Sequence, residues 1–188
     1  MSSRGLIALM GRPLPISFFD RDTRIVAREL LGCIIVRDEV QVRVVETEAY
    51  FPGDSANHAF KGKTPRNAPM WGPPGCLYVY LCYGIHTLLN LVTEASGRPA
   101  AVLIRAGEVV AGHDAVSRRR GGRLDLIGPG KVGQALAMDT GWSGRPIGDG
   151  LSVVRGPAPA AIRAAPRVGI DAADPADVAA LWRYISQD

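Results

Sequence analysis

Cysteine, histidine and lysine are each present only three times in this 188-residue chain. Cys33, Cys76 and Cys82 form an odd, unpaired set, which argues against a disulfide scaffold. His58, His86 and His113 are scattered, and no Cys/His cluster offers the four ligands of a structural zinc, so no metal is expected. Aromatics make up 6% of the residues. Apolar runs such as Cys33–Val36 are far shorter than the ~20 residues of a membrane helix, so no membrane partner is expected. Met1–Met10 carries one Arg and neither a long apolar stretch nor a signal-type cleavage site. The expectation is a soluble cytoplasmic protein, associated with the nucleoid if the source is bacterial.

Hydrophobic residues (47%) and charged residues (21%) are near globular averages, which argues against intrinsic disorder and fits one domain over residues 1–188. Residues 1–14 are expected to be loosely ordered. The net charge is only +4, but 19 of the 22 cations are Arg. Guanidinium binds phosphate bidentately, so this composition suits nucleic acid; plain compositional drift fits it equally well.

Arg12–Phe19, with two prolines, is expected to be extended. Asp22-Thr23 predicts a helix running to about Leu31 and stopped by Gly32. Strands are predicted at Cys33–Arg37, Gln41–Tyr50, Leu77–Tyr83, Leu88–Thr93, Ala100–Arg105, Leu151–Val154 and Arg167–Ile170. Phe51–Gly75 is a long Pro/Gly-rich loop, and such loops in compact domains are usually functional. Ser117–Arg123 is expected as a basic loop and Lys131–Met138 as a short helix. A last helix opens at Asp174-Pro175 and runs through Trp182.

Alternation along Val42–Tyr50 puts Val44, Glu46, Glu48 and Tyr50 on one face. That face is either solvated or carries a general base beside the long loop, and spacing does not choose between Glu46 and Glu48. Tyr78 and Tyr80 share a face of the next strand. Tyr83-Gly84 lies where a hairpin should turn, so Tyr83 either folds back onto the sheet or projects as a wedge. Gly128-Pro-Gly-Lys-Val-Gly133 matches the letters of a dinucleotide-binding fingerprint, yet no βαβ unit surrounds it. A helix start that accepts a phosphate near Lys131 is the plainer reading.

Glu46-Thr-Glu-Ala-Tyr50, Asp54, His58, Thr64-Pro-Arg-Asn67, Met70, Gly75, Leu77-Tyr-Val-Tyr80, Tyr83-Gly84 and Asn90 together resemble the alkyladenine (3-methyladenine) DNA glycosylases. The resemblance extends from about Pro15 to the C-terminus and takes in Leu30-Leu-Gly32, Gly128–Leu136 and Arg167-Val-Gly169. It implies an α+β fold: a single compact domain with a curved antiparallel β-sheet, surrounding helices and a protruding β-hairpin. It implies a monofunctional, cofactor-free and monomeric enzyme that flips alkylated or deaminated purines out of double-stranded DNA and hydrolyses the N-glycosidic bond. By position, Glu48 resembles the catalytic base. Arg105 and the Val168 carbonyl resemble groups that hold the attacking water. Tyr50, His58 and Tyr80 are similar to the base-pocket walls, Asn90 to the residue that excludes guanine, and Tyr83 to the intercalating tyrosine. Lys131, Arg66 and Arg119 are the expected phosphate contacts. His86, Leu88-Leu89 and Ala101 depart from the pattern, and Ala101 is expected to affect pocket width. The alternatives are a non-catalytic damaged-base sensor on duplex DNA and a nucleotide-binding enzyme built on Gly128–Gly133.

Overall fold

A computed structural model describes residues 11–187. Of the stretch expected to be loose, residues 1–10 lie outside the described residues. Pro13 bridges Val154, and Leu14 is buried with its N–H donating to the Val153 carbonyl.

The chain begins with a helical turn α1 (Ile16–Phe19) and a helix α2 (Thr23–Glu29). The Asp22 side chain caps α2 by accepting from the Arg24 N–H, as its residue type predicts. Strands β1 (Ile34–Arg37) and β2 (Val40–Tyr50) follow, then the long loop, broken only by a 3₁₀ turn at Ala68–Trp71. Strands β3 (Leu77–Cys82) and β4 (His86–Val92) make the hairpin. After β5 (Ala101–Ala111) come α3 (His113–Arg119), β6 (Leu126–Ile127) and α4 (Pro129–Ala135). A 3₁₀ turn at Thr140–Trp142, β7 (Ser152–Val154), β8 (Ala161–Ala165), α5 (Pro175–Ala179) and β9 (Arg183–Gln187) complete it.

The strands join one curled antiparallel sheet in the order β3-β4-β5-β2-β1-β7. Strand β9 takes the edge of β2 beyond β1, pairing Glu46, Thr47 and Glu48 with Ile185, Tyr184 and Arg183. The main core fills the space between sheet and helices, with Phe19, Val26, Leu30, Leu77, Leu89, Ile104 and Leu136 all buried. A smaller cluster of Ala59, Met70, Cys76, Tyr78, Val92 and Ala101 lies under the long loop. The fold is thus α+β, one domain with a curled sheet.

Several expectations are corrected. Residues 16–19 are helical, because the prolines at 13 and 15 precede the turn and leave its hydrogen bonds intact. The first three residues of the expected basic loop, Ser117–Arg119, are the end of α3, and residues 120–122 are turn. No breaker precedes Gly121 and Gly122, and Arg118 and Arg119 in the last turn suit the helix dipole. Arg167–Ile170 is not a strand: Pro166 precedes it and Gly169 takes a positive φ of 75°. The last helix stops at Ala179, and Trp182-Arg-Tyr-Ile instead leads into β9.

The fingerprint-like glycines have a packing role. A Cβ on Gly133 would lie 2.0 Å from the Thr87 carbonyl oxygen, and one on Gly130 would meet the His86 ring at 2.7 Å. Both glycines let α4 lie directly on β4, at the end next to the hairpin tip.

Candidate active site

Strand β2 changes face midway. Val42 and Val44 point into the main core, but so do Thr47 and Ala49, which have the opposite parity. Thr47 Oγ1 donates to the Ala27 carbonyl of α2 at 2.8 Å. The switch occurs at two bulges, where Val44 faces Gly107, Glu46 faces Ala106 and Thr47 faces Ile104. Val45 and Arg105 are the extra residues, one on each strand. Val44 therefore does not share a face with the glutamates as simple alternation predicted. Glu46, Glu48 and Tyr50 turn to the side occupied by Ala101, Leu103 and Arg105 of β5. A bulge is a device for re-aiming side chains beside a site.

That side opens on a cavity of about 770 Å³, within the ~300–1,000 Å³ of small-molecule pockets. Tyr50, His58, Tyr78, Tyr80, Asn90 and Ala101 line it, with Leu103, Arg105, Arg66 and the loop Val168–Ile170. Tyr78 and Tyr80 stack at 5.3 Å between centroids, and His58 meets Tyr80 edge-on at 4.6 Å. His58 Nδ1 hydrogen-bonds the Tyr78 hydroxyl at 2.9 Å. Surrounding protein, then the Arg66 charge, push the His58 pKa down, so its ring is neutral at pH 7. Burial lifts the Tyr78 phenol to about 12, so it keeps its proton. Asn90 is buried, and its Nδ2 donates to the Tyr78 carbonyl at 3.0 Å.

Glu48 has no exposed surface and stands one layer behind the cavity wall. All three of its partners line the cavity. The Tyr50 hydroxyl donates to Oε2 at 2.8 Å, the Val168 N–H donates to Oε1 at 3.0 Å, and Arg105 Nε lies 3.5 Å from Oε1. Burial pushes the Glu48 pKa up, partly offset by Arg105, the Val168 N–H and Tyr50. Burial, then the Glu48 charge, push Tyr50 far up, so it remains a hydrogen-bond donor. Each carboxylate oxygen has two lone pairs, so the acceptor sites of Glu48 are not exhausted by these donors. A proton acceptor with a raised pKa beside an aromatic cavity is suited to general-base work.

Sequence reading missed the supports. Arg167 and Asp54 form a fully enclosed ion pair, with Arg167 Nη2 donating to Asp54 Oδ1 at 2.8 Å. The same guanidinium donates to the Ala49 carbonyl and lies 4.7 Å from the Tyr50 ring centroid. It thus fixes both the Tyr50 wall and the loop that carries Val168. Tyr78 was legible as a wall residue, because it shares a face with Tyr80.

The hairpin tip holds Tyr83 with 90% of its surface exposed and with φ at 50°. A non-glycine residue in that region is strained, and strain of this kind gathers at functional sites. Tyr83 therefore does not fold back onto the sheet. Ile85 beside it is also exposed. The expected phosphate contacts are not alike. Arg66 is exposed over the Tyr80 ring and donates to the Leu81 carbonyl at 3.2 Å. Lys131 pairs with Asp125, and Arg119 Nη1 donates to the Ala135 carbonyl at 2.7 Å. Arg120 is buried and pairs with Asp125 and Gln134. Among the described residues, no group of three or more His, Cys, Asp or Glu could hold a metal ion.

Residues 17–188 match the family model of the methylpurine-DNA glycosylases. A DNA-3-methyladenine glycosylase of Arabidopsis thaliana is 47% identical over 182 residues, covering 93% of this chain and 72% of the relative. A protein of Nitrosococcus oceani, provisionally named a 3-methyladenine DNA glycosylase, is 52% identical over 181 residues, covering 93% and 90%. One of Methanocella arvoryzae with the same provisional name is 44% identical over 186 residues, covering 93% and 92%. Taken with the enclosed glutamate and the aromatic cavity, these matches mean that the chain belongs to the methylpurine-DNA glycosylase family, as a DNA-repair hydrolase acting on N-glycosyl bonds.

Proposed function

We propose that this glycosylase extrudes alkylated or deaminated purines of the 3-methyladenine, hypoxanthine and ethenoadenine class from duplex DNA. It then hydrolyses their bond to the sugar with one water and no cofactor. The observation that carries this reading is the enclosed Glu48 carboxylate, whose three partners all line an aromatic cavity.

A paired base hides its sugar bond, so the nucleotide must leave the stack before chemistry begins. Tyr83 enters the gap and restacks on the neighbouring pairs, offsetting an unstacking cost of about a few kcal/mol. The extruded base lies between Tyr50, His58 and Tyr80. A cationic lesion such as 3-methyladenine gains from aromatic faces and from a neutral His58. A neutral lesion gains stacking alone, so hydrogen bonding around His58 matters more for hypoxanthine. Asn90 stands where guanine's 2-amino group would go. Glu48 is closed off from the cavity by its three partners, so one of them shifts to admit the water. Ionised Glu48 then takes a proton as the water oxygen bonds C1′, and the electrons of the breaking bond leave with the purine. Its charge also stabilises the cationic sugar on the way. Arg105 and the Val168 carbonyl orient the water, while Arg66, Lys131 and Arg119 meet phosphates. Lys61 lines the cavity, but the partners of Glu48 are Tyr50, Val168 and Arg105 and none is a lysine, which fits hydrolysis without strand cleavage; the protein works as a monomer.

The test uses duplexes carrying one defined lesion each, followed by alkaline cleavage. Glu48→Gln should bind lesion DNA and release base slower by a factor of ~10² or more. Near-normal turnover in that variant removes Glu48 from the role. Lesion binding by the wild-type protein without base release would instead identify a damage sensor.

A further inference from the structure

Glu46, the carboxylate that spacing left undecided against Glu48, has its own place in the site. Its Oε1 accepts from Arg105 Nε at 3.1 Å and from Arg183 Nη1 at 2.8 Å. Arg105 Nε is also 3.5 Å from Glu48 Oε1. Glu48, Arg105, Glu46 and Arg183 therefore form one alternating chain of charges running from β5 and β2 to β9. Their side-chain exposures are 0%, 18%, 12% and 21%, so solvent screens these pairs only in part. Arg105 is nearer to Glu46 than to Glu48. Arg183 also donates from Nε to the Pro166 carbonyl at 2.7 Å, two residues before the Val168 N–H that holds Glu48.

We propose that Glu46 and Arg183 are positioning residues that divide Arg105 between two carboxylates and so set how readily Glu48 accepts a proton from water. The proposal rests on the reading of Glu48 as the base. If Arg105 belonged to Glu48 alone, the carboxylate would be stabilised and a poor base. With Glu46 drawing on the same guanidinium, Glu48 keeps a partner without being fully neutralised. Arg183 limits that draw by satisfying Glu46 from the other side. The remaining groups facing Glu48 are the Tyr50 hydroxyl on its own strand, the Tyr80 phenol on β3, and the Val168 N–H and Arg167 on the loop after β8. Arg167 is already committed to Asp54.

Opposite signs follow for two variants. Glu46→Gln removes a like charge from near Glu48 and releases Arg105 to it, so the Glu48 pKa should fall by about half to one unit. Arg183→Gln removes a cation and leaves Glu46 to draw Arg105 away, so the Glu48 pKa should rise by about the same amount. Arg183→Lys keeps the charge and should return the value near wild type. Carbon-13 carboxyl titration by NMR, with the resonance assigned through Glu48→Gln, reads this without catalysis. Single-turnover base release against pH reads it through the acid limb. General loosening of the site would move both variants the same way. Shifts of the same sign, or none, overturn the proposal. Opposed NMR shifts that the acid limb does not follow leave the coupling standing and remove Glu48 as the base. Glu46→Gln is nearly isosteric, so its downward shift decides the matter even if Arg183→Gln fails to fold.

Discussion

At the scale of the residue, burying Glu48 has a cost that depends on pH. Its folded pKa is raised above the ordinary glutamate value, first by burial. The folded protein therefore binds this proton more tightly than the unfolded chain does. The corresponding stability is fully present below the unfolded pKa of about 4.3 and is lost as pH rises through the folded value. Glu48→Gln has no such loss. Its melting temperature relative to wild type should climb between about pH 4 and pH 7, since the other groups titrate alike in both proteins. Paired calorimetric scans across that range check it; a difference that stays flat contradicts the assignment. On the reading of Glu48 as the base, activity and stability pull in opposite directions at this position.

At the scale of the element, the β3–β4 hairpin separates folding from function. Strand β4 pairs with β5 over Asn90–Val92, and α4 packs on β4 near the tip, where Gly130 meets His86 and Gly133 meets Thr87. The Tyr83 ring at the tip touches little, with 90% of its surface exposed. Tyr83→Ala removes no core contact and should leave the melting temperature within about 2 °C of wild type, since surface changes usually stay within ~0.5 kcal/mol. Extrusion of a reporter base should fall, seen as lower 2-aminopurine fluorescence in duplex DNA. Unchanged fluorescence would mean that the ring is not the wedge. The hairpin was legible in the sequence because an aromatic beside a glycine between two alternating strands has few other uses. Strand β9 was not legible, since Asp174-Pro175 announces a helix and nothing marks its end at Ala179. The face switch in β2 was equally hidden. A bulge leaves no mark in hydrophobic alternation when the residues after it are Glu, Thr, Glu and Ala. The pairing of motif with family located the aromatic walls, but its ionic supports come from segments far apart in the chain.

At the scale of the whole molecule, the Arg167–Asp54 pair ties the long loop after β2 to the segment after β8. Both side chains are fully enclosed. The pair also reaches Ala49, Tyr50 and Trp182. Removing one partner strands a buried charge, so Asp54→Ala should cost about 3–5 kcal/mol in urea unfolding. A loss below ~1 kcal/mol would show that the loops hold together without it. This linkage could not be read from spacing, because the partners are separated by 113 positions. The two surplus residues at Val45 and Arg105 have a consequence for sequence change. Because each strand carries one, the β2–β5 pairing is the same after the interruption as before it, with Val44 opposite Gly107 and Glu48 opposite Leu103. Deleting either residue alone would leave the other strand's extra residue without a counterpart, so the pairing on the two sides of the interruption would differ by one residue. Lineages that keep Arg105 must therefore keep the surplus position at Val45 as well.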